Sequence, residues 1–556
     1  MSNPDINSTS MNLARNRLGM HKLYLAGLWL SLILTALFTR TLWPIDETRY
    51  ASVAWEMWLR GDFLVPYLNG EPYSHKPPLM FWLFQAGWWV FGVNEWWPRL
   101  VPPLFALGNL FLTARLARLL WPPFKDPLNE RVARHAPLIL LGCLVWTFFT
   151  TVTLFDMLLT FFTLLGLLGV LHARQQGGLR GWLILGVAIG LGVLSKGPVI
   201  LLHLLPVTLL APWWVIGAGR VPNWKLWYGG LVCAVLLGAG IALAWAIPAA
   251  QSGGPAYAHA IFWGQTADRL VASFAHRHLW WWYVPMLPVF LFPWSLWPPL
   301  WRGFKQLWID SRQTPDTGVR FCLAWLLPTF IVLSVISGKQ VHYLLPLLPA
   351  FALLASYAVF REGGDLRPKD AWLPGMGLVL TGLALSWVSY LAQYFPQPGW
   401  ATLVLPLAGF IVACIGIMLI MVPEQSRRQG VTALSISSVV LIVMIHLSVA
   451  RVAAPTLDLR AIGSYLHSLQ EAGYPIAHVN SYYGQYQFVG RLHQPLQVIA
   501  RHEIVSWIEA HPQGRVIIYS GDSYPRGAGK PEYTHPYRGL TFSVWSRAAL
   551  LMNGQP

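Results

Sequence analysis

The sequence predicts a polytopic α-helical membrane protein that ends in a small α/β domain. Two observations carry this. Hydrophobic residues make up 55% of the 556 residues and charged residues only 11%, whereas soluble domains carry roughly 25% charge. Apolar runs close to the ~20 residues needed to cross a bilayer recur from about Leu23 to about Val449, and the last hundred residues lose that character.

In chain order, the first apolar run follows Arg15, Arg17 and Lys22 but has no small-residue cleavage site, so it reads as a retained first helix rather than a signal peptide. Thirteen spans are predicted, at 23–41, 99–120, 135–153, 156–173, 181–194, 198–216, 227–249, 284–301, 319–336, 342–360, 371–391, 402–422 and 431–450. The apolar run 78–91 is left out, because counting it would invert every later loop. With 47–60 it is expected to form helices lying at the outer membrane surface, where Trp and Tyr are favoured. Proline clusters such as Trp297-Pro298-Pro299 mark span ends. The tail should contain helices at 457–471 and 503–510 and strands at 476–480, 515–520 and 540–545. The expected division is therefore a membrane domain, 1–455, with 44–98 as its first external loop, and an α/β domain, 456–556. The sequence contains no GxGxxG, phosphate-binding loop or zinc-finger spacing to support nucleotide binding, and no internal repeat is visible.

The net charge of +16 could point to nucleic acid, but the basic residues are scattered through short loops, which excludes that partner. Topology explains them. Of the 39 Lys and Arg, twenty-one fall in the N-terminal segment and six alternate loops, including Arg115, Arg118, Lys125, Arg131, Arg134, Arg302, Lys305, Arg361, Arg427 and Arg428. The opposite loops hold nine and the tail nine. The rule that cytoplasmic loops collect positive charge then puts the N-terminus inside and the tail outside, in a bacterial inner membrane. The four cysteines, Cys143, Cys233, Cys322 and Cys414, each lie in a different apolar run and read as small core residues.

Sorted by side, most unusual polar residues emerge outside. The first external loop gives Asp46, Glu47, Arg49 and Tyr50, then His75 and Lys76. Later external turns give Asp156, Lys196, Gln265 and Arg269, and finally Lys339 and Tyr343. Charges at span edges are costly unless paired, solvated or useful. Asp46 alone could be a helix N-cap, with Arg49 and Tyr50 on its face at i+3 and i+4. A cap does not explain why Lys76, Asp156, Lys196, Arg269 and Lys339 share its side. A carboxylate among cations and tyrosines is what a transferase needs to hold a phosphate leaving group while positioning an acceptor. His75, His276 and His278 could hold zinc, although their spacing matches no specific metal motif. The pairs and triplet Trp88-Trp89, Trp96-Trp97 and Trp280-Trp281-Trp282 read as interfacial anchors.

The string from Pro44 to Leu83, "PIDETRYASVAWEMWLRGDFLVPYLNGEPYSHKPPLMFWL", followed by "LFDMLLTFF", "LSKGP" and "SGKQVHYLLPLLPA", resembles the GT-C glycosyltransferases of the protein O-mannosyltransferase and aminoarabinose transferase superfamily. The resemblance implies a GT-C fold and an inverting transfer from an undecaprenyl-phosphate sugar, with lipid A phosphate as acceptor in the aminoarabinose branch. Another envelope glycan or a protein hydroxyl is the alternative acceptor. It also implies that Asp46 is the catalytic carboxylate and Asp156 the second acidic position, and that Arg49, Tyr50 and Lys76 bind the donor phosphate. Arg269 and Tyr343 match later donor-side positions, and Glu47, His75, Lys196, Gln265 and Lys339 are further cleft candidates. The chain departs from the aminoarabinose pattern in reading His75-Lys76-Pro77 for Glu-Lys-Pro and Gly264-Gln265 for Glu-His. In that branch the Glu and His can ligate a metal, so the resemblance extends neither to a metal cofactor nor to the identity of the sugar. A transporter would place its charges near the membrane midplane, often in repeated halves; here they gather at one face.

Overall fold

In the computed structural model, which describes residues 23–124, 126–216, 221–264, 277–362, 365–394, 399–422, 426–520 and 529–551, the predicted spans appear in order. Eight described helices are long and apolar enough to cross a bilayer, and Leu23–Thr39, Ile200–Leu209 and Pro406–Met421 are shorter apolar helices at three further predicted positions. The remaining two spans are broken. The first runs as Pro127–Gly142 and Leu144–Phe149, interrupted at Cys143, whose backbone is extended. Its start is earlier than predicted because the Asp126 carboxylate accepts from the Leu128 N–H at 2.8 Å and caps the helix. The second, predicted at 284–301, is a set of short turns, Leu287–Phe290 and Trp294–Leu296, before the Pro298–Gln313 helix. Prolines 285, 288, 293, 298 and 299 each lack an N–H, which accounts for the interruption.

Two helices outrun their predicted lengths. Trp224–His259 has 36 residues, about 54 Å at 1.5 Å per residue, more than the ~30 Å apolar core of a bilayer. Its far end bends at Gly254 and reaches the 44–98 segment, where the Trp245 indole donates to the Leu64 carbonyl at 2.8 Å. The last span starts at Arg427 on a Ser426/Gln429 capping box and continues through Leu457. The tail helix therefore begins afresh at Arg460, three residues later than expected, after Asp458 accepts from the Arg460 N–H at 2.9 Å.

Contacts between loops sort them into two ends, matching the charge asymmetry. At one end Glu130 pairs with Arg118 and Arg134, Asp126 with Arg361, and Glu362 with both Arg302 and Arg427. Asp316 at the same end accepts from the Trp121 indole and the Tyr357 hydroxyl. At the other end Glu47 reaches Thr153, Lys196 reaches Asp156, and Lys339 reaches His278. The Leu79–Phe91 helix belongs to this second end: Gln85 donates to the Ala54 carbonyl at 3.2 Å, and Trp88 stacks on Phe488 of the tail at 5.2 Å.

The cysteine expectation is half right. Cys143 and Cys322 are buried, while Cys233 and Cys414 are exposed on the bundle surface. An apolar run does not distinguish a face turned to neighbouring helices from one turned to lipid, which is equally apolar. The tryptophan expectation needs a similar correction. Trp89, Trp96, Trp280 and Trp281 are exposed, but Trp88 is buried.

The tail forms a mixed sheet of five strands, preceded in the 44–98 segment by the hairpin β1 (Tyr67–Leu68) and β2 (Glu71–Pro72). Its strands are β3 (Ile476–Val479), β4 (Gln497–Ile499), β5 (Arg515–Ser520), β6 (Tyr533–Tyr537) and β7 (Leu540–Ser546), in the order β4-β3-β5-β7-β6. β3 pairs in parallel with β4 and β5, and β7 is antiparallel to β5 and β6. Alternation along β5 sends Ile517 to the face packed by the Arg460–Glu471 helix, and Val516 and Ile518 to the face packed by Ile504–Ala510. The short β4 and the proline-containing β6 were not predicted; both are sheet edges, where the sequence signal is weak.

The sheet domain grips the Asp46–Arg60 helix. Ser52 donates to the Gly484 carbonyl at 2.6 Å and accepts from the Phe488 N–H at 3.0 Å; Gln487 donates to Glu56 at 2.8 Å; the Trp55 indole donates to the Leu492 carbonyl at 3.0 Å. Positions 52, 55 and 56 share one helix face by i, i+3, i+4 spacing. A Cβ on Gly484 would come within 2.5 Å of Leu68, and the residue sits at φ 72°, so this approach requires glycine. Asn69, in the tight turn between β1 and β2, adds a two-way bond to the Leu496 backbone, at 2.9 and 2.8 Å.

Candidate functional site

Asp46 is the first residue of its helix. The N-cap is Ile45, and no side chain caps the helix, so the N-cap reading of Asp46 does not hold. Its side chain is 56% exposed and pairs with Arg49 one turn on. Arg49 lies over the Tyr50 ring, 5.6 Å from its centroid. Burial, with Asp46 and Tyr73 close by, pushes the Tyr50 phenol well above its ordinary pKa, so it stays a neutral hydroxyl.

Phe155 joins this helix to the bundle. Tyr50 meets its ring edge-on at 4.9 Å, Phe81 does so at 5.7 Å, and the Lys76 ammonium lies 5.5 Å from its centroid. The next residue, Asp156, opens a membrane helix and is buried, with the Lys196 ammonium 2.5 Å from one carboxylate oxygen. His342 is 3.9 Å from the other. Lys196 in turn lies 4.8 Å from the centroid of the Tyr343 ring. The charges of Asp156, Lys196, Lys76 and Asp46 all fall within electrostatic reach of the His342 ring. Asp46, Arg49, Tyr50, Lys76, Asp156, Lys196 and Tyr343, predicted from five separate segments, thus meet at one end of the bundle. His75 stands beside them, its ring 5.2 Å from that of Tyr73.

Two other predicted residues are placed differently. Glu47 is buried in a clamp: Arg40 donates to both its oxygens, at 2.5 and 3.0 Å, and the N–H groups of Trp43 and Thr153 donate at 2.7 and 2.6 Å. The clamp fixes the start of the Asp46 helix against the loop before Asp156. Lys339 is buried and donates to the carbonyls of His278 and Ile336, at 3.0 and 2.6 Å, closing its own turn. Burial lowers its pKa. Gln265 and Arg269 lie outside the described residues, as does His276 of the proposed histidine trio.

Sequence reasoning passed over Phe155 and His342, although both lie in strings it quoted. An aromatic next to a buried acid gives no periodic signal of its own. It also missed the clamp partner Arg40, which sits at the end of the first apolar run, where a charge normally reads as a span boundary.

A family described as dolichyl-phosphate-mannose-protein mannosyltransferase matches residues 75–245. Undecaprenyl phosphate-α-4-amino-4-deoxy-L-arabinose arabinosyl transferase of Pseudomonas aeruginosa is 33% identical over 64% of this chain. The namesake from Aeromonas salmonicida is 33% identical over 62%. The match spans 63% of the length of each of these relatives. Among solved structures, ArnT from Cupriavidus metallidurans in the apo state superposes over 98% of this chain and 100% of its own, with a TM-score of 0.71 and 18% identity. The same protein bound to undecaprenyl phosphate superposes over 97% and 99%, with a TM-score of 0.70 and 19% identity. These two likenesses establish the fold.

Proposed function

From the 33% identity to the arabinosyl transferases and the family matched at residues 75–245, we propose that the chain is a GT-C glycosyltransferase of the protein O-mannosyltransferase and aminoarabinose transferase superfamily that moves a sugar from a polyprenyl phosphate onto an envelope acceptor. Lipid A is the favoured acceptor, and the sugar is aminoarabinose-like or a hexose. The observation that carries this reading is the meeting of half-exposed Asp46 with Lys76, Arg49 and the Asp156–Lys196 pair at one bundle end. In this reading an anionic lipid donor enters from the bilayer, and Arg49, Tyr50, Lys76 and Tyr343 hold its phosphate. Asp156 keeps Lys196 oriented toward the same group. An acceptor oxygen forms its bond to the anomeric carbon as the bond from that carbon to the phosphate breaks, so the configuration inverts and polyprenyl phosphate leaves. Cations aimed at the phosphate stabilise the charge that grows on it. If the acceptor is a hydroxyl, its proton passes to Asp46; if it is a phosphate anion, Asp46 acts by position and electrostatics alone.

A protein hydroxyl is the second reading for the acceptor, favoured by the family matched at residues 75–245. Mass spectrometry of lipid A, other envelope glycolipids and envelope proteins, from cells with and without the gene, separates the two. A sugar lost from lipid A supports the first reading, one lost from proteins supports the second, and unchanged profiles overturn the transferase.

The same reading puts the cluster and the 456–556 domain outside the inner membrane and the ion-paired loops inside. Reporter fusions after Lys125, Lys305 and Arg428 should report cytoplasm, and fusions near Gln85, Gln265 and in the tail should report periplasm. A cytoplasmic signal at Gln85 would make 78–91 a span and reverse the sidedness.

For the donor, Lys76→Ala and Arg49→Ala should each weaken capture of a polyprenyl-phosphate sugar by roughly 10- to 100-fold, the worth of one charge-assisted hydrogen bond. Lys76→Arg should restore little, since a guanidinium fork presents its donors differently from a compact ammonium. Wild-type donor affinity in both alanine variants would remove these residues from the phosphate site.

A further inference from the structure

One group of potential ligands lies outside the cluster just described. His467 and Glu471 stand at i and i+4 on the Arg460–Glu471 helix, and His493 approaches from the loop between β3 and β4. One ligand atom from each lies within 4.8 Å of the other two. Nε2 of His467 is 3.8 Å from a Glu471 oxygen, and the two imidazole rings have centroids 5.6 Å apart.

The loop residue is held in place from several sides. The Gln470 side chain, between the two helix ligands, accepts from the His493 N–H at 3.1 Å and the Gln494 N–H at 3.4 Å, and donates to the Gln494 carbonyl at 2.8 Å. The preceding carbonyl, that of Leu492, accepts from the Trp55 indole, and the Trp55 ring lies 6.1 Å from the His493 ring. A flexible loop would lose entropy on bringing its imidazole to the helix, whereas here the backbone is already fixed at that spot.

We propose that His467, Glu471 and His493 form a binding site for a transition-metal dication, with Zn2+ as the best fit. Two imidazoles and one carboxylate suit zinc, which binds such nitrogen and oxygen atoms at about 2.0–2.2 Å, while magnesium and calcium favour all-oxygen shells. Small rotamer changes of the half-buried His467 and the exposed Glu471 and His493 bring the ligands in. Three protein ligands leave a fourth position for water or a further donor. The ion joins the Arg460–Glu471 helix to the loop that holds Trp55, and so fastens the sheet domain to the helix that begins at Asp46. None of its ligands belongs to the cluster around Asp156.

The test uses the full chain in detergent, carrying a tag without histidine and stripped with chelator. Titration with Zn2+, followed by calorimetry and by thermal unfolding, should show tight binding and a raised unfolding temperature, with no response to Mg2+ at the same concentration. Glu471→Gln and His493→Gln should each weaken that binding by roughly 100-fold, at least the effect of losing a mere outer-shell partner. In chelator, both variants should unfold at the wild-type temperature, which shows that the fold survives the change. Wild-type protein that binds no Zn2+ at micromolar concentration, or variants that bind it as tightly as wild type, would overturn the site.

Discussion

Asp46→Asn is expected to lower transfer by two or more orders of magnitude while leaving expression, membrane insertion and thermal stability close to wild type. Asparagine keeps the size and polarity of the side chain and removes its charge. If that charge orients or deprotonates the acceptor beside the anomeric carbon, the barrier rises by about 3 kcal/mol or more. The structural cost is small, because Ile45, not Asp46, is the N-cap. What is lost is an exposed ion pair with Arg49, worth about 0–1 kcal/mol, and an acid in the first helical turn, worth at most about 1 kcal/mol. Turnover of purified variants on a polyprenyl-phosphate donor, beside their unfolding temperatures, makes the measurement. Near-normal transfer by a folded Asn variant would remove Asp46 from the chemistry, and Asp156 would become the first carboxylate to examine.

The sequence made the fold readable where hydrophobic runs and charge asymmetry act, because both reflect the bilayer directly. The loop contacts at each end of the bundle fall where that asymmetry placed them, down to Arg302 and Arg427 sharing Glu362 and Arg361 pairing with Asp126 at one end. Broken spans were less legible. The prolines from 285 to 299 were visible, but an apolar run with prolines does not reveal whether neighbouring segments supply the missing backbone partners; here Leu144 donates to the Phe292 carbonyl at 2.9 Å. The site was legible as a list of residues on one side. It was not legible as a sorting of that list, because Glu47 and Asp46 are neighbours in sequence with opposite fates, one sealed in an ion pair and one half-exposed. The grip of the tail on residues 52–56 gave no local signal at all. It depends on Gly484, Gln487 and Leu492 arriving from more than 400 residues away, a pairing that only tertiary structure defines.

Unlike Asp46→Asn, Glu47→Ala is expected to act first on stability, destabilising the protein by about 3–5 kcal/mol, the usual cost of leaving a buried charge without its partner. The Arg40 and Glu47 side chains are only 0% and 2% exposed. Without the carboxylate, Arg40 keeps the carbonyls of Thr41 and Thr151, which carry no charge to balance its own. The N–H groups of Trp43 and Thr153 lose their acceptor at the same time. Transfer should fall as well, because the clamp fixes the helix turn that presents Asp46. Adding Arg40→Met to Glu47→Ala should recover part of the stability by removing the stranded charge, although the two N–H groups remain unpaired. The clamp also predicts a pH dependence. Burial pushes the Glu47 pKa up, but the charge of Arg40 and the hydrogen bonds from Arg40, Thr153 and Trp43 outweigh it and hold the pKa below the ordinary value. A carboxylate depressed on folding contributes stability that is present above its unfolded pKa, about 4.3, and lost as pH falls through the folded value. Wild type should therefore lose unfolding temperature below about pH 4.3 more steeply than the Glu47→Ala Arg40→Met variant, which has no such group to protonate. Equal unfolding temperatures for wild type and Glu47→Ala at pH 7 would show that the clamp does not hold the helix, and the link from Glu47 to Asp46 would fail with it.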